Sequence, residues 1–257
     1  MLEKCHIKVF EDNVGQSTID DCLKIFEPSP FWSSLPYREA EFEIVHQFIN
    51  SSFESINPKV CHIHGEKGVG KTSTVQICSL MSIYYTRIEF LDIQQWCDGN
   101  YIPKNQHERG LVVIDSPCKG MIIPMLNYFL SINYSLIIIT TDSINDENFD
   151  QYVTSIIRFG SYDKNALRYI LCDKLRPFSN LIKQEAINYI VNRAFACDVG
   201  LQGAFDLLIA SLINLKHSNT PKLDQKSVEN AYFHLIEYPD YQEFDNKHLQ
   251  YGISLNC

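Results

Sequence analysis

The segment Gly65-Glu66-Lys67-Gly68-Val69-Gly70-Lys71-Thr72 sets three glycines, two lysines and a hydroxyl into eight consecutive residues. It satisfies the pattern G-x-x-x-x-G-K-[ST], whose chemistry is phosphate binding. Glycines let the backbone wrap with its N–H groups pointing inward, and a helix starting at the end of the loop adds partial positive charge. Lys71 would reach terminal phosphates and the Thr72 hydroxyl would ligate Mg²⁺, with Ser73 next in the chain completing the set. At average residue usage the four fixed positions match by chance about once in a hundred chains of this length. These residues imply a nucleotide site.

Such a loop needs an acid at the end of a neighbouring strand to hold the magnesium shell. The apolar run Leu111-Val112-Val113-Ile114 closes on Asp115, which supplies it. Many hydrolysing ATPases of this loop type carry Glu at the next position, where it orients the attacking water. Here it is Ser116, which cannot act as that base, and removing such a base costs about 10²–10⁴ in rate. His62 and His64 lie two apart on a predicted strand and so face one way. With no third ligand nearby, they read as polar edges of the sheet rather than a metal pair. Trp96 could stack a base, but reads better as a core or interface tryptophan.

The surrounding pattern must bring these residues together. Apolar positions Phe42, Val45, Phe48 and Ile49 recur at helical spacing within 38–53. Strands are predicted at 60–64, 87–91, 111–115, 135–141 and 155–159, with helices at 71–81 and 121–130 between them. That alternation predicts an α/β fold with a mainly parallel sheet covered on both faces. Beyond Tyr162 only helical periodicity remains, at 163–175, 182–196, 201–215 and 225–236, with Asp163 as a cap for the first. The expected organisation is an N-terminal arm over 1–34, an α/β nucleotide-binding base over 35–162 and a helical segment over 163–257.

Composition narrows the class. The chain has 257 residues, 45% of them hydrophobic, and 22 basic against 31 acidic side chains, a net charge of −9. A broad basic face for gripping nucleic acid is therefore not expected. The longest apolar run, Leu136-Ile137-Ile138-Ile139, is strand-sized and far from the roughly 18–20 residues that span a bilayer. The charged start MLEKCHIKVFEDN does not read as a signal peptide. Nine cysteines are scattered without Cys-x-x-Cys spacing, so reduced, mostly buried thiols are expected rather than disulfides or zinc.

Three further segments carry a resemblance. Leu35-Pro36-Tyr37-Arg38-Glu39-Ala40-Glu41-Phe42, a helix and then the phosphate loop resemble the opening of origin recognition complex subunit 1 and its relatives, the cell-division-cycle 6 loader and archaeal initiators. Phe159-Gly160-Ser161-Tyr162 resembles the family's Phe-x-Pro-Tyr junction into its lid, and Gly200-Leu201-Gln202-Gly203-Ala204-Phe205-Asp206 resembles its second-sensor helix. Over roughly 25–250 the chain is thus similar to a P-loop AAA+ module: a parallel-sheet base followed by a C-terminal all-helical lid.

The resemblance implies ATP or ADP with Mg²⁺ as ligands, with adenine near Leu35, Pro36 and Tyr162, and Arg38 in the same set. It also implies other origin recognition AAA+ subunits as partners, contact with origin DNA through that complex rather than alone, no membrane, and a nuclear location. Departures point to weak or no hydrolysis. Ser116 stands at the family's Glu position, Thr140 at the first sensor and uncharged Gln202 at the second, so no catalytic residue is assigned. No Arg stands at the expected finger positions near Gln151 or Ile156, and Arg158 is displaced. Asp115 follows Thr72 by only 43 positions, leaving little room for the helical insertion of initiators. The chain ends soon after Tyr251, where a winged helix would begin, so that module is expected to be absent. ATP as an assembly ligand is the leading expectation. The alternatives are a chromatin or silencing scaffold paralogue using the shell for protein contacts, and a cell-division-cycle 6-like loader.

Overall fold

The structure, a computed structural model, describes residues 18–26, 35–103, 109–144, 146–218 and 221–237. The described residues group into two compact units: one contains those of 35–170 and 191–204, the other those of 18–26, 171–190 and 205–237.

The first unit is built on five strands, β1 (Val60–His64), β2 (Ile88–Phe90), β3 (Leu111–Asp115), β4 (Ser135–Thr140) and β5 (Ser155–Arg158). They pair in parallel in the order β2-β3-β4-β1-β5. In the three inner strands every residue but the last is buried, as expected where helices cover both faces. One face packs Cys61, Ile63, Val113, Ile137 and Ile139 against Val45, Phe48 and Ile49 of α2 (Glu39–Glu54) and Val75 and Cys78 of α3 (Lys71–Met81). The other packs Val60, Val112, Ile114, Leu136 and Ile138 against Ile122, Met125, Leu126 and Phe129 of α5 (Lys119–Ser131). Each such side chain withdrawn from water contributes about 1.5–3 kcal/mol before conformational entropy is counted.

Two short helices escaped the periodicity, α4 (Ile93–Cys97) and α6 (Glu147–Asp150). Both are started by an aspartate, with Asp92 accepting from the Gln94 and Gln95 amides and Asp146 from the Asn148 amide. Trp96 on α4 lies in an aromatic cluster with Tyr101, Tyr128 and Phe129, ring centroids 5.1–6.2 Å away, which is the core role expected of it.

The later helices are α7 (Lys164–Leu175), α8 (Gln184–Ala196), α9 (Gly200–Lys216) and α10 (Gln225–Glu237). Asp163 caps α7 by accepting from the Ala166 amide at 2.7 Å, as its position predicts. Of the expected arm at 1–34, residues 18–26 are described and contain α1 (Ile19–Lys24), started by a reciprocal capping box between Thr18 and Asp21. In its unit this helix is tied down by Lys216 Nζ on Asp20 at 2.7 Å, by Lys174 Nζ on the Ile25 carbonyl at 3.1 Å, and by Phe26 against Phe205 at 5.3 Å.

Two expectations need correction. β1 is an inner strand between β4 and β5, so His62 is buried rather than at a sheet edge. Of the seven described cysteines, all free, only Cys22, Cys61 and Cys78 are buried; Cys97 and Cys118 are exposed and Cys172 and Cys197 are half-buried. Cys5 and Cys257 lie outside the described residues.

Candidate nucleotide site

β1 runs into the loop Gly65–Gly70 and α3 leaves it at Lys71, the strand–loop–helix geometry that aims backbone amides and a helix N-terminus at one point. Two glycines are dictated by their surroundings. A Cβ on Gly65 would meet the carbonyl oxygen of Phe159, just past β5. Gly68 has φ 80°, and a Cβ there would lie 2.9 Å from Cβ of Gln202 in the first turn of α9. The residue predicted at the second-sensor position therefore stands directly over the phosphate loop. Within the loop, Val69 is buried and Lys67 is exposed.

Lys71 is buried, and its Nζ donates to the carbonyls of Gly65 and Glu66, both at 2.6 Å. Burial pulls this ammonium below its ordinary value, and Asp115 pulls the other way. The Thr72 hydroxyl donates to Oδ2 of Asp115 at 2.5 Å, so the two expected magnesium ligands touch across 43 residues of sequence. A hydroxyl and a carboxylate side by side are hard oxygen donors of the kind Mg²⁺ takes alongside phosphates and water. Among the described residues no group of three or more His, Cys, Asp or Glu is placed to hold a metal by itself. The donor set fits a cation that arrives with a phosphate ligand.

Ser116 has φ 55° and its hydroxyl donates to Oδ1 of Asp115 at 3.0 Å. It buttresses the carboxylate and offers no base. Thr140, ending β4, is fully engaged: its hydroxyl donates to the Asp142 carbonyl at 2.5 Å and lies 2.8 Å from Nε2 of His62. Because the one hydroxyl proton goes to Asp142, the His62 ring must donate from Nε2. Burial first, and then the neighbouring His64, push His62 down to about 4, so it is neutral at pH 7. His64 is also held below its ordinary value, by burial and then by Arg158 and Lys71.

Arg38, expected in the ligand set, is held by four protein groups. It is 5% exposed, and its Nε donates to the Val69 carbonyl at 2.8 Å and to the Tyr162 hydroxyl at 3.1 Å. Its two terminal nitrogens donate to Glu41 Oε1 at 2.9 Å and to the Gly160 carbonyl at 2.5 Å. The guanidinium also stacks over the Tyr162 ring at 4.0 Å. Leu35 and Pro36, half-buried, enter this turn, with the Leu35 carbonyl accepting from the Arg38 amide at 3.2 Å. Ser73 is half-buried in the first turn of α3.

Sequence reasoning missed Glu41, Ser161 and His62 as partners in the site. Glu41 was detectable as an i, i+3 acid after Arg38. Ser161, which donates to Glu66 Oε2 at 2.6 Å across 95 residues, and His62, 78 residues from Thr140, have no local signal.

No family model and no curated protein sequence matches the chain. Solved structures do match. The Aeropyrum pernix Orc1 protein, in complex with DNA, superposes with a TM-score of 0.69 over 84% of this chain and 70% of that one, at 14% identity. The fold is an Orc1/Cdc6-like AAA+ fold. Drosophila ORC bound to DNA gives a TM-score of 0.65 over 92% of this chain and 70% of that one at 15% identity. Cdc6p from Pyrobaculum aerophilum gives 0.65 over 82% and 70% at 14% identity. In this fold the loop, the Thr72–Asp115 pair and Thr140 lie at the C-terminal ends of the strands, with Gln202 over the loop. No described helix is long and apolar enough to cross a membrane.

Proposed function

We propose that this chain binds ATP with Mg²⁺ at the Gly65–Thr72 loop and acts as a nucleotide-binding subunit of a replication-initiation assembly of the origin recognition type. In this reading ATP is chiefly an assembly ligand, hydrolysed weakly or not at all. The observation that carries the reading is the bond between Thr72 and Asp115 beneath a glycine loop that also holds Lys71. A shell kept only for protein contacts has no use for these three groups together.

Bound nucleotide supplies an anionic phosphate chain and a metal to this site. The loop amides and Lys71 would hold the phosphates. Thr72 and Asp115 would hold Mg²⁺, with Ser116 donating to the second oxygen of Asp115. Adenine would lie toward Leu35, Pro36 and Tyr162. Hydrolysis lacks a base at Ser116, a charged second sensor at Gln202 and a free hydroxyl proton at Thr140.

Partner subunits of the same AAA+ class, DNA contact through that assembly and a nuclear location belong to this reading. Partners and DNA contact are supported by the similarity to the Orc1 and ORC structures solved with DNA, and the nuclear location by the Drosophila one alone. A Cdc6-like loader is the second reading, favoured by the similarity to the Pyrobaculum protein. The test is co-purification of tagged chain with candidate AAA+ subunits, with and without MgATP. Nucleotide-dependent recovery of a partner subunit is expected, and recovery indifferent to nucleotide and to Lys71→Ala would contradict the reading.

A further inference from the structure

We infer that Arg38 is a positioning residue that clasps the phosphate loop to the segment Phe159–Tyr162, so that occupancy of the loop is transmitted into the start of α7. The inference rests on the nucleotide reading above and goes beyond it.

Three contacts join the two segments. The first glycine of the loop, Gly65, leaves no room for a Cβ against the Phe159 backbone. Ser161 donates to Glu66, the second residue of the loop. Arg38 joins the far end of the loop to the same segment, through the Val69 carbonyl on one side and the Gly160 carbonyl and Tyr162 hydroxyl on the other. Of these only the Arg38 contact is charge-assisted and buried, and only it reaches four groups at once.

The planar guanidinium is what makes this possible. A fork of fixed N–H donors can hold two carbonyls, a phenol and a carboxylate in set directions while its face stacks on an aromatic ring. A lysine would keep the charge and reach one acceptor at a time. The clasp also sits beside the loop's last glycine: a Cβ on Gly70 would lie 3.2 Å from the Tyr162 hydroxyl and 3.9 Å from Arg38 Nε. When the loop tightens around phosphates, the Val69 carbonyl cannot shift without pulling on Arg38. Arg38 cannot shift without pulling on Gly160 and Tyr162, two residues before α7 begins at Lys164.

The experiment is hydrogen exchange on the full chain with and without saturating MgATP, compared within each variant so that a change in basal stability cancels. Wild type is expected to gain protection both in the loop and across 159–166. Arg38→Lys is expected to keep loop protection and lose that at 159–166; Arg38→Met, of similar volume, serves if the lysine variant does not fold. Protection of 159–166 that persists in the variant, or loop protection alone in wild type, would overturn the clasp and leave the nucleotide reading standing. No protection anywhere in wild type would overturn both.

Discussion

The guanidinium of Arg38 lies 4.0 Å above the ring centroid of Tyr162 and at the same time donates from Nε to its hydroxyl at 3.1 Å. These two residues are 124 positions apart, and their contact closes the frame within which the phosphate loop sits. Glu41, with its side chain 18% exposed, neutralises the guanidinium from the adjacent turn of α2.

Removing one member of a buried ion pair leaves the other charge uncompensated. Arg38→Ala should therefore lower folding stability by about 3–5 kcal/mol, read as a drop in the denaturant midpoint. A loss under ~1 kcal/mol, the worth of an exposed ion pair, would mean that Glu41 and Gly160 find water instead.

Nucleotide at about 100 times its dissociation constant should add roughly 2.7 kcal/mol to the stability of the folded chain, seen as a thermal shift with MgATP. Lys71→Ala should abolish that shift. Ser116→Ala should leave most of it, because Ser116 only buttresses Asp115 through one 3.0 Å bond. Equal shifts for wild type and Lys71→Ala would place the ligand elsewhere.

Gly68→Ala tests the approach of α9 to the loop. A left-handed φ costs an L-residue roughly 1–2 kcal/mol, and the new methyl would stand 2.9 Å from Cβ of Gln202. The variant should unfold at lower denaturant and bind MgATP more weakly. Pairing it with Gln202→Gly should recover part of the loss, and a double variant no better than the single one would argue against the contact.

His62 gives the site a pH signature. Its folded value of about 4 lies below the ordinary 6.5 because burial disfavours imidazolium and His64 adds to that. Above 6.5 neither the folded nor the unfolded chain binds the proton and the group is silent. Between 6.5 and about 4 the unfolded chain takes it up and the folded chain does not, so stability falls with pH, by about 3 kcal/mol in all. His62→Gln, which keeps a donor for Thr140, should flatten that part of the profile in urea unfolding between pH 7 and 4. An unchanged slope would mean that other groups carry it.

Much of this was legible in the chain. The β1, α3 and β3 ranges follow from apolar runs bounded by glycine or acid, and the contact of Thr72 with Asp115 from one motif and one strand end. Local patterns could not supply register. That His64 lies beside Thr140 on one side and Arg158 on the other is decided by strand order, so the histidines looked like an edge feature. Arg38 shows the same limit: its spacing marks the site, whereas its partners Val69, Gly160 and Tyr162 are 31 to 124 residues away. The helices α4 and α6, at five and four residues, are shorter than the period that would reveal them.

On the proposed function, MgATP is held and not consumed. The most direct measurement incubates the chain with excess radiolabelled MgATP, removes free nucleotide, and identifies what stays bound while phosphate release is followed. Wild type should retain intact ATP, Lys71→Ala should retain none, and phosphate should appear far more slowly than the ~1 s⁻¹ of a slow ordinary enzyme. Failure of wild type to retain nucleotide, retention undiminished in Lys71→Ala, or turnover at or above that rate by the chain alone would contradict the account.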